Sequence, residues 1–265
     1  MRIPPEVASV TAAFLGAAES QLPGLVEGLY LHGSLGFGEY FAGASDVDFV
    51  AVLSGRPDEA QLAGLAAAHQ QVRAAFARPR FDGVHLVRED LAKSPEACPD
   101  VPFVFEGSFQ ASGRFSVNPV TWHELAWHGI RVCGPDLTDG QVWTDQAALR
   151  SFTYANLTSY WAPVAAKLRA APPEAIAPDD VAWCVLGVSR LHHLLSTGSM
   201  TSKSGAGRYA RTAFSPRWHP IVTEALRARE HPDLPSAYAN DHVARGRDTA
   251  AFTTMAIESG LCCAP

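Results

Sequence analysis

The sequence lacks three features that mark common classes of protein: paired cysteines, clustered basic residues and long apolar runs. It has five cysteines, Cys98, Cys133, Cys184, Cys262 and Cys263. None forms a Cys-x-x-Cys pair, which argues against a zinc or redox site and favours reduced thiols. No apolar run approaches the length of a membrane span, and the first residues lead into a helical pattern rather than a signal-peptide core. We therefore expect a cytoplasmic protein.

Charge is also sparse. Only 18% of residues are charged, and the formal net charge is -6. Binding to nucleic acid or to an anionic membrane needs an excess of Lys and Arg, so neither partner is expected. An acidic chain suits a cationic small molecule better, and we expect it to act on one as a monomer.

Hydrophobic periodicity divides the chain into two parts. Residues 1–143 alternate helical and strand patterns, which predicts an α/β domain with a mixed sheet. Strands are expected at 26–32, 47–53, 81–87 and 101–109. Residues 144–265 show helical periodicity almost throughout and predict an all-α bundle. Four tryptophans, Trp122, Trp127, Trp161 and Trp183, fall in helical segments, and we expect them in the core.

The most informative segment joins a Gly-Ser turn to a pair of aspartates. Gly33 and Ser34 follow the first predicted strand, and their backbone N–H groups could hold phosphates. Asp46 and Asp48 are spaced by two along the second strand, so both carboxylates should face one side. Adjacent carboxylates repel each other, and a divalent cation such as Mg²⁺, shared with nucleotide phosphates, relieves the repulsion. Alone, the two aspartates could equally be a solvated surface.

Further candidates lie along both parts of the chain. Asp82 is polar near the start of an apolar predicted strand and could be a third carboxylate, or simply a turn residue. Arg190 and Lys203 could bind phosphates, although a salt bridge and an exposed loop would explain them equally well. Asp180 precedes an apolar helix and could be only a helix cap.

Together these residues resemble the aminoglycoside nucleotidyltransferases of the streptomycin/spectinomycin adenylyltransferase type. The resemblance rests on Gly33-Ser34, on Ser45-Asp46-Val47-Asp48, on the segment 81–91, and on the order of Arg190, Thr197-Gly198 and Lys203. It implies Mg²⁺ held by Asp46 and Asp48, and ATP held by Gly33, Ser34, Arg190 and Lys203.

The same resemblance assigns the remaining roles and shows two departures. Asp82 would take the position of the catalytic base, where the family carries glutamate, and would contact substrate. Asp180 would meet a substrate ammonium. Ala177 falls where streptomycin-accepting members have a drug-contacting tryptophan.

The leading hypothesis is an antibiotic-resistance enzyme, an O-adenylyltransferase. It would transfer AMP from Mg-ATP to a hydroxyl of an aminoglycoside or aminocyclitol, in a cleft between the two domains. Two alternatives remain open at this point. The acceptor could be a protein side chain, as in regulatory or antitoxin-like AMP transfer, or the chain could be a nucleotide-binding module without catalysis.

Overall fold

The computed structural model describes residues 3–137 and 140–263. The chain divides into two compact units, Met1–Asp145 and Gln146–Pro265. The first is an α/β unit and the second is entirely helical, which confirms the predicted fold class. Among the described residues, none of the helices is both long enough and apolar enough to cross a membrane.

The N-terminal unit is built on a six-stranded mixed sheet with the order β5-β4-β3-β2-β1-β6. Its strands are β1 (Val26–Leu31), β2 (Val47–Leu53), β3 (Phe81–Val87), β4 (Val101–Phe105), β5 (Ser108–Gly113) and β6 (Ile130–Cys133). β2 and β3 are parallel, and all other neighbours are antiparallel.

The single strand expected over 101–109 is wrong, because the segment folds as a β4–β5 hairpin. Glu106 and Gly107 form its two-residue turn with φ of 50° and 71°. A turn with two positive φ values matches the right-handed twist of the flanking strands, and glycine at its second position favours it. The backbone N–H groups of this turn donate hydrogen bonds to the Asp82 carboxylate.

Helices cover both faces of the sheet. The N-terminal unit contains α1 (Pro5–Gln21), α2 (Glu59–Ala75), the short α3 (Arg88–Leu91) and α4 (Pro119–His128). α1 and α2 pack on the face that carries Phe49 and Phe81. On the opposite face, Trp122 of α4 packs with Val50 and Val84.

α4 begins at Pro119 because the Asn118 side chain accepts hydrogen bonds from two backbone N–H groups and Pro119 occupies the first turn.

The described part of the C-terminal unit, residues 146–263, contains six α-helices. They are α5 (Gln146–Asn156), α6 (Ala162–Ala170), α7 (Pro178–Thr197), α8 (Lys203–Ala213), α9 (His219–Glu230) and α10 (His242–Leu261). A π-helical turn, Leu157–Trp161, connects α5 to α6. The core of this unit forms around α7, with Val185, Ile221 and Phe252 fully or almost fully buried.

The sequence patterns did not predict α8, and they treated Lys203 as a possible loop residue. Ser202 caps this helix by accepting the Gly205 N–H at 2.8 Å. Gly207 lowers helix propensity, yet a Cβ at this position would collide with Leu186 and Leu226. Gly207 therefore weakens the helical pattern in the sequence, but it allows α8 to approach α7 and α9 closely.

The four tryptophans divide evenly between core and surface. Trp122 and Trp161 are buried, as expected. Trp127 is 69% exposed and Trp183 is 37% exposed, so the expectation was wrong for these two. Both lie on the solvent-facing side of their helices, α4 and α7.

Candidate active site

Three polar residues form a row across neighbouring strands of the N-terminal sheet. His32 follows β1 and donates its backbone N–H to the Asp48 carbonyl at 3.1 Å. Asp48 lies directly opposite Asp82 in the parallel register of β2 and β3. Because side chains alternate along a strand, His32, Asp48 and Asp82 emerge on the same face, which α4 covers further along.

Gly33 begins a tight turn at one end of this row. Its φ is +62°, and a Cβ there would overlap the Asp48 carboxylate. The turn closes when the carbonyls of Gly33 and Ser34 accept the N–H groups of Phe37 and Glu39, at 3.3 and 3.0 Å. A glycine is therefore required both by the backbone conformation and by the neighbouring carboxylate.

Asp46 immediately precedes β2 and is bound by two arginines. Arg80 donates from Nε to Asp46 Oδ1 at 3.1 Å and from Nη2 to Oδ2 at 3.0 Å. Arg78 donates from Nη1 to Oδ1 at 3.2 Å. The hydrogen bond to Asp46 raises the pKa of Arg80 and outweighs its partial burial. No pattern in the sequence indicated that Asp46 pairs with Arg78 and Arg80.

Asp82 is the second residue of β3 and is almost buried, at 9% exposure. Its carboxylate accepts the Gly107 N–H at 2.8 Å and the Glu106 N–H at 3.1 Å, both from the β4–β5 turn. Burial raises the pKa of Asp82, the Gly107 hydrogen bond opposes the shift, and the charge of Asp46 adds to it. This carboxylate is therefore fixed in position and more basic than an exposed aspartate.

A buried ion pair adjoins Asp48, and sequence reasoning missed it. His32 Nδ1 lies 2.9 Å from Glu124 Oε2 of α4, and each residue is only 5% exposed. Burial alone would lower the pKa of His32, but the Glu124 hydrogen bond and the charges of Glu124 and Asp48 together raise it. The available signal was Glu124 itself, a charged residue between the buried Trp122 and Leu125.

The carboxylates suit Mg²⁺ by their chemistry rather than by forming a complete cage. Among residues 3–137 and 140–263, no three His, Cys, Asp or Glu side chains are arranged to hold a metal ion. Magnesium in nucleotide sites normally takes one or two carboxylates and completes its shell with phosphates and water. Asp46 and Asp48 offer two carboxylates of that kind, although both Asp46 oxygens are bound by arginine in this structure.

The other candidates lie in the helical unit. Arg190 is half-buried on α7, and Lys203 is the first residue of α8. Asp180 lies in the first turn of α7, where its Oδ2 accepts the Ala177 N–H at 3.2 Å. Asp180 thus caps its helix, as the simpler interpretation predicted. The proposed roles of these three residues toward substrates stay predictions.

An exposed aromatic group adjoins the start of α7. The Trp183 ring lies 4.9 Å from that of Trp161 and 6.3 Å from that of Tyr160. Tyr160 is 48% exposed and belongs to the π-helical turn. Asp180 precedes Trp183 by three residues on α7, so the two share a face of the helix.

The α/β unit thus carries a Gly-Ser turn beside neighbouring aspartates, and a helical bundle follows it in the sequence. Residues 152–250 match the model of the aminoglycoside adenylyltransferase C-terminal domain family. This match confirms the resemblance identified from the sequence.

A solved structure shares the fold across both units. It is the spectinomycin adenyltransferase AAD(9) from Enterococcus faecialis, crystallised with ATP and spectinomycin. The TM-score is 0.65 at 14% sequence identity, covering 93% of this chain and 98% of that one. No curated protein sequence matches the chain.

Proposed function

We propose that this protein transfers AMP from Mg-ATP to a hydroxyl group of an aminoglycoside or aminocyclitol antibiotic. The observation that carries the proposal is the alignment of Asp48 and Asp82 on adjacent parallel strands beside the Gly33 turn. The aminoglycoside adenylyltransferase match of the helical unit supports the class of acceptor.

The roles follow from chemistry and position. Asp46 and Asp48 hold Mg²⁺, which when bound neutralises charge on the α-phosphate and on the departing pyrophosphate. Gly33 and Ser34 contact the terminal phosphates through the turn. Arg190 and Lys203 add positive charge from the helical unit. In these roles the residues position the nucleotide and neutralise its negative charge, which are the main requirements of phosphoryl transfer.

Asp82 is the proposed base. It takes the proton from the acceptor hydroxyl as the hydroxyl oxygen bonds to the α-phosphorus and pyrophosphate leaves. Its raised pKa makes it a better proton acceptor than an ordinary aspartate, while the two N–H groups from the β4–β5 turn fix its direction. The side chain is one methylene shorter than the family's glutamate, so this fixed position matters.

A cationic acceptor suits the surface at the start of α7. Asp179 and Asp180 are exposed there, and Trp183 offers an aromatic face close by. An ammonium group gains from both a carboxylate and an aromatic ring. We propose that Asp180 contacts an ammonium group of the acceptor in addition to capping its helix.

Mass spectrometry of a panel of cationic antibiotics incubated with protein and Mg-ATP tests the proposal. The panel includes spectinomycin and streptomycin. We expect at least one of its members to gain one AMP unit. Asp46→Asn should abolish the product. Asp136→Asn is the matched control, because Asp136 is also paired with an arginine, Arg131, at 3.1 Å.

The alternatives give different results in the same system. Label from ATP that moves into a protein band, with no modified antibiotic, would favour a protein acceptor. Tight Mg-ATP binding without turnover on either type of acceptor would favour a binding module. Product formation that is equal in wild type and Asp46→Asn would contradict the proposed site. Cytoplasmic location and a monomeric state stay predictions from the sequence.

A further inference from the structure

We propose that Arg80, assisted by Arg78, is a nucleotide-binding residue that occupies Asp46 until Mg-ATP arrives and then transfers to the triphosphate. The inference rests on the proposed function, since it takes Asp46 as a metal ligand. It adds two residues to the site and gives the order in which their contacts exchange.

The first support is the completeness of the pairing. Arg80 contacts both carboxylate oxygens of Asp46, and Arg78 contacts one of them again. A two-point guanidinium contact is the same arrangement that arginine uses to bind phosphate. A metal ion that approaches Asp46 therefore meets a carboxylate whose two oxygens are already engaged.

The second support is the local charge. Asp46 lies close enough to Asp82 to raise the pKa of the Asp82 carboxyl, and Asp48 lies opposite Asp82 across the strands. Three carboxylates in this small region repel each other unless a cation is present. In the nucleotide-free protein, Arg80 and Arg78 supply that positive charge.

The third support is freedom to exchange. The side chains of Arg80 and Arg78 are 35% and 55% exposed, so water can replace each contact as it breaks. Arg80 also borders a pocket of about 350 Å³, next to Glu106 and Gly107 of the β4–β5 turn. Its backbone stays anchored, because the Arg80 carbonyl accepts the Val47 N–H at 2.8 Å. The side chain can therefore move while its origin stays beside β2.

The exchange predicts opposite effects on two ligands. Removing the Arg80 guanidinium frees Asp46 Oδ2 and leaves only Arg78 on Oδ1, so the nucleotide-free protein should bind a metal ion more tightly. The same change removes a phosphate contact, so the triphosphate should bind more weakly. A residue that only stabilises the fold would weaken both, and a residue unrelated to the site would change neither.

Isothermal titration calorimetry on the full chain measures both affinities separately. The probes are Mn²⁺ alone and Mg²⁺ with a non-hydrolysable ATP analogue blocked between the α- and β-phosphates. For Arg80→Gln we expect Mn²⁺ to bind about fivefold more tightly, since an exposed ion pair contributes up to about 1 kcal/mol. The analogue should bind about tenfold more weakly, or worse, because a charge-assisted contact is lost.

Three further variants make the result specific. Arg80→Lys keeps the charge without the two-point contact, so both effects should be smaller and in the same directions; it also serves if Arg80→Gln folds poorly. Asp46→Asn added to Arg80→Gln should remove the gain in Mn²⁺ affinity. Arg131→Gln removes an arginine paired with Asp136 away from this site and should leave both affinities unchanged.

Several outcomes would overturn the inference. They are unchanged or weaker Mn²⁺ binding by both Arg80 variants, unchanged affinity for the analogue, and no Mn²⁺ binding by any variant. These outcomes are distinct from failure of the proposed function. Opposite shifts in the two affinities, without AMP transfer to any antibiotic, would support the arginine exchange and reject the acceptor class.

Discussion

Replacing Gly33 with alanine should damage the site in two separable ways. The residue has φ +62°, and left-handed backbone costs a residue with a side chain about 1–2 kcal/mol. The new Cβ would also overlap the Asp48 carboxylate, which must then move. Since a displacement of about 1 Å at a reacting centre can cost about 100-fold, we expect AMP transfer to fall by about that factor.

Gly24 provides the matched control. Its φ is +72°, and no atom lies within 4 Å of the Cβ that an alanine would add. Gly24→Ala should therefore carry the backbone cost alone. In a domain of this size 1 kcal/mol shifts Tm by about 2–4 °C, so we expect a loss of about 2–8 °C with near-normal activity.

Calorimetric melting and initial rates of AMP transfer distinguish the two contributions. The Gly33→Ala variant should have a lower Tm than the Gly24→Ala variant. When both glycine variants are made in an Asp48→Ala background, their Tm values should be equal, because the overlapping carboxylate is gone. The reasoning would be refuted if Gly33→Ala matched Gly24→Ala in both Tm and activity.

Three other predictions follow from described side chains. Asp82→Asn should lower kcat by about 100-fold or more, because the proton acceptor is lost, while calorimetry should show nearly unchanged nucleotide binding; an active variant would exclude Asp82 as base. Burial lowers the pKa of His85 to about 4, and lowers that of His69 well below its usual value, so both are neutral in the folded protein at pH 7. The unfolded chain takes up these protons below about pH 6.5, so denaturant titrations should show the free energy of unfolding fall by roughly 3 kcal/mol for His85 alone between pH 7 and pH 4, and a flat profile would contradict this. Trp183→Ala should raise the KM for a cationic acceptor about threefold or more, whereas Trp127→Ala, which removes an even more exposed tryptophan, should not; equal effects would count against an aromatic contact.

Local patterns predicted the elements of this fold well. The bounds of β2 and β3 match the expected strands, because alternating or continuous apolar residues specify them and turn residues flank them. The start of α4 is likewise specified locally, by the Asn118 cap and by Pro119 in the first turn. The confirmed family resemblance likewise depended on short segments whose residues are close in sequence.

Contacts between distant segments could not be predicted in the same way. Glu124 lies 92 residues from His32, and Arg80 lies 34 residues from Asp46. Nothing in the local pattern around either member specifies its partner, since these pairings arise only when the sheet and α4 assemble. The helix α8 was missed for a related reason, because Gly207 is explained by packing against other helices rather than by its own segment.

The parallel register of β2 and β3 determines where this chain can change in length. Shifting β3 by a single residue would bring Phe81 or Gly83 opposite Asp48 and turn Asp82 towards the opposite face, beneath α1 and α2. The connection between these strands runs through α2, and surface residues near Ala77 can be added or removed without altering that register. Relatives should therefore vary in length between the end of α2 and Arg78 but hardly at all from Arg78 through β3, and protein engineers should place insertions accordingly.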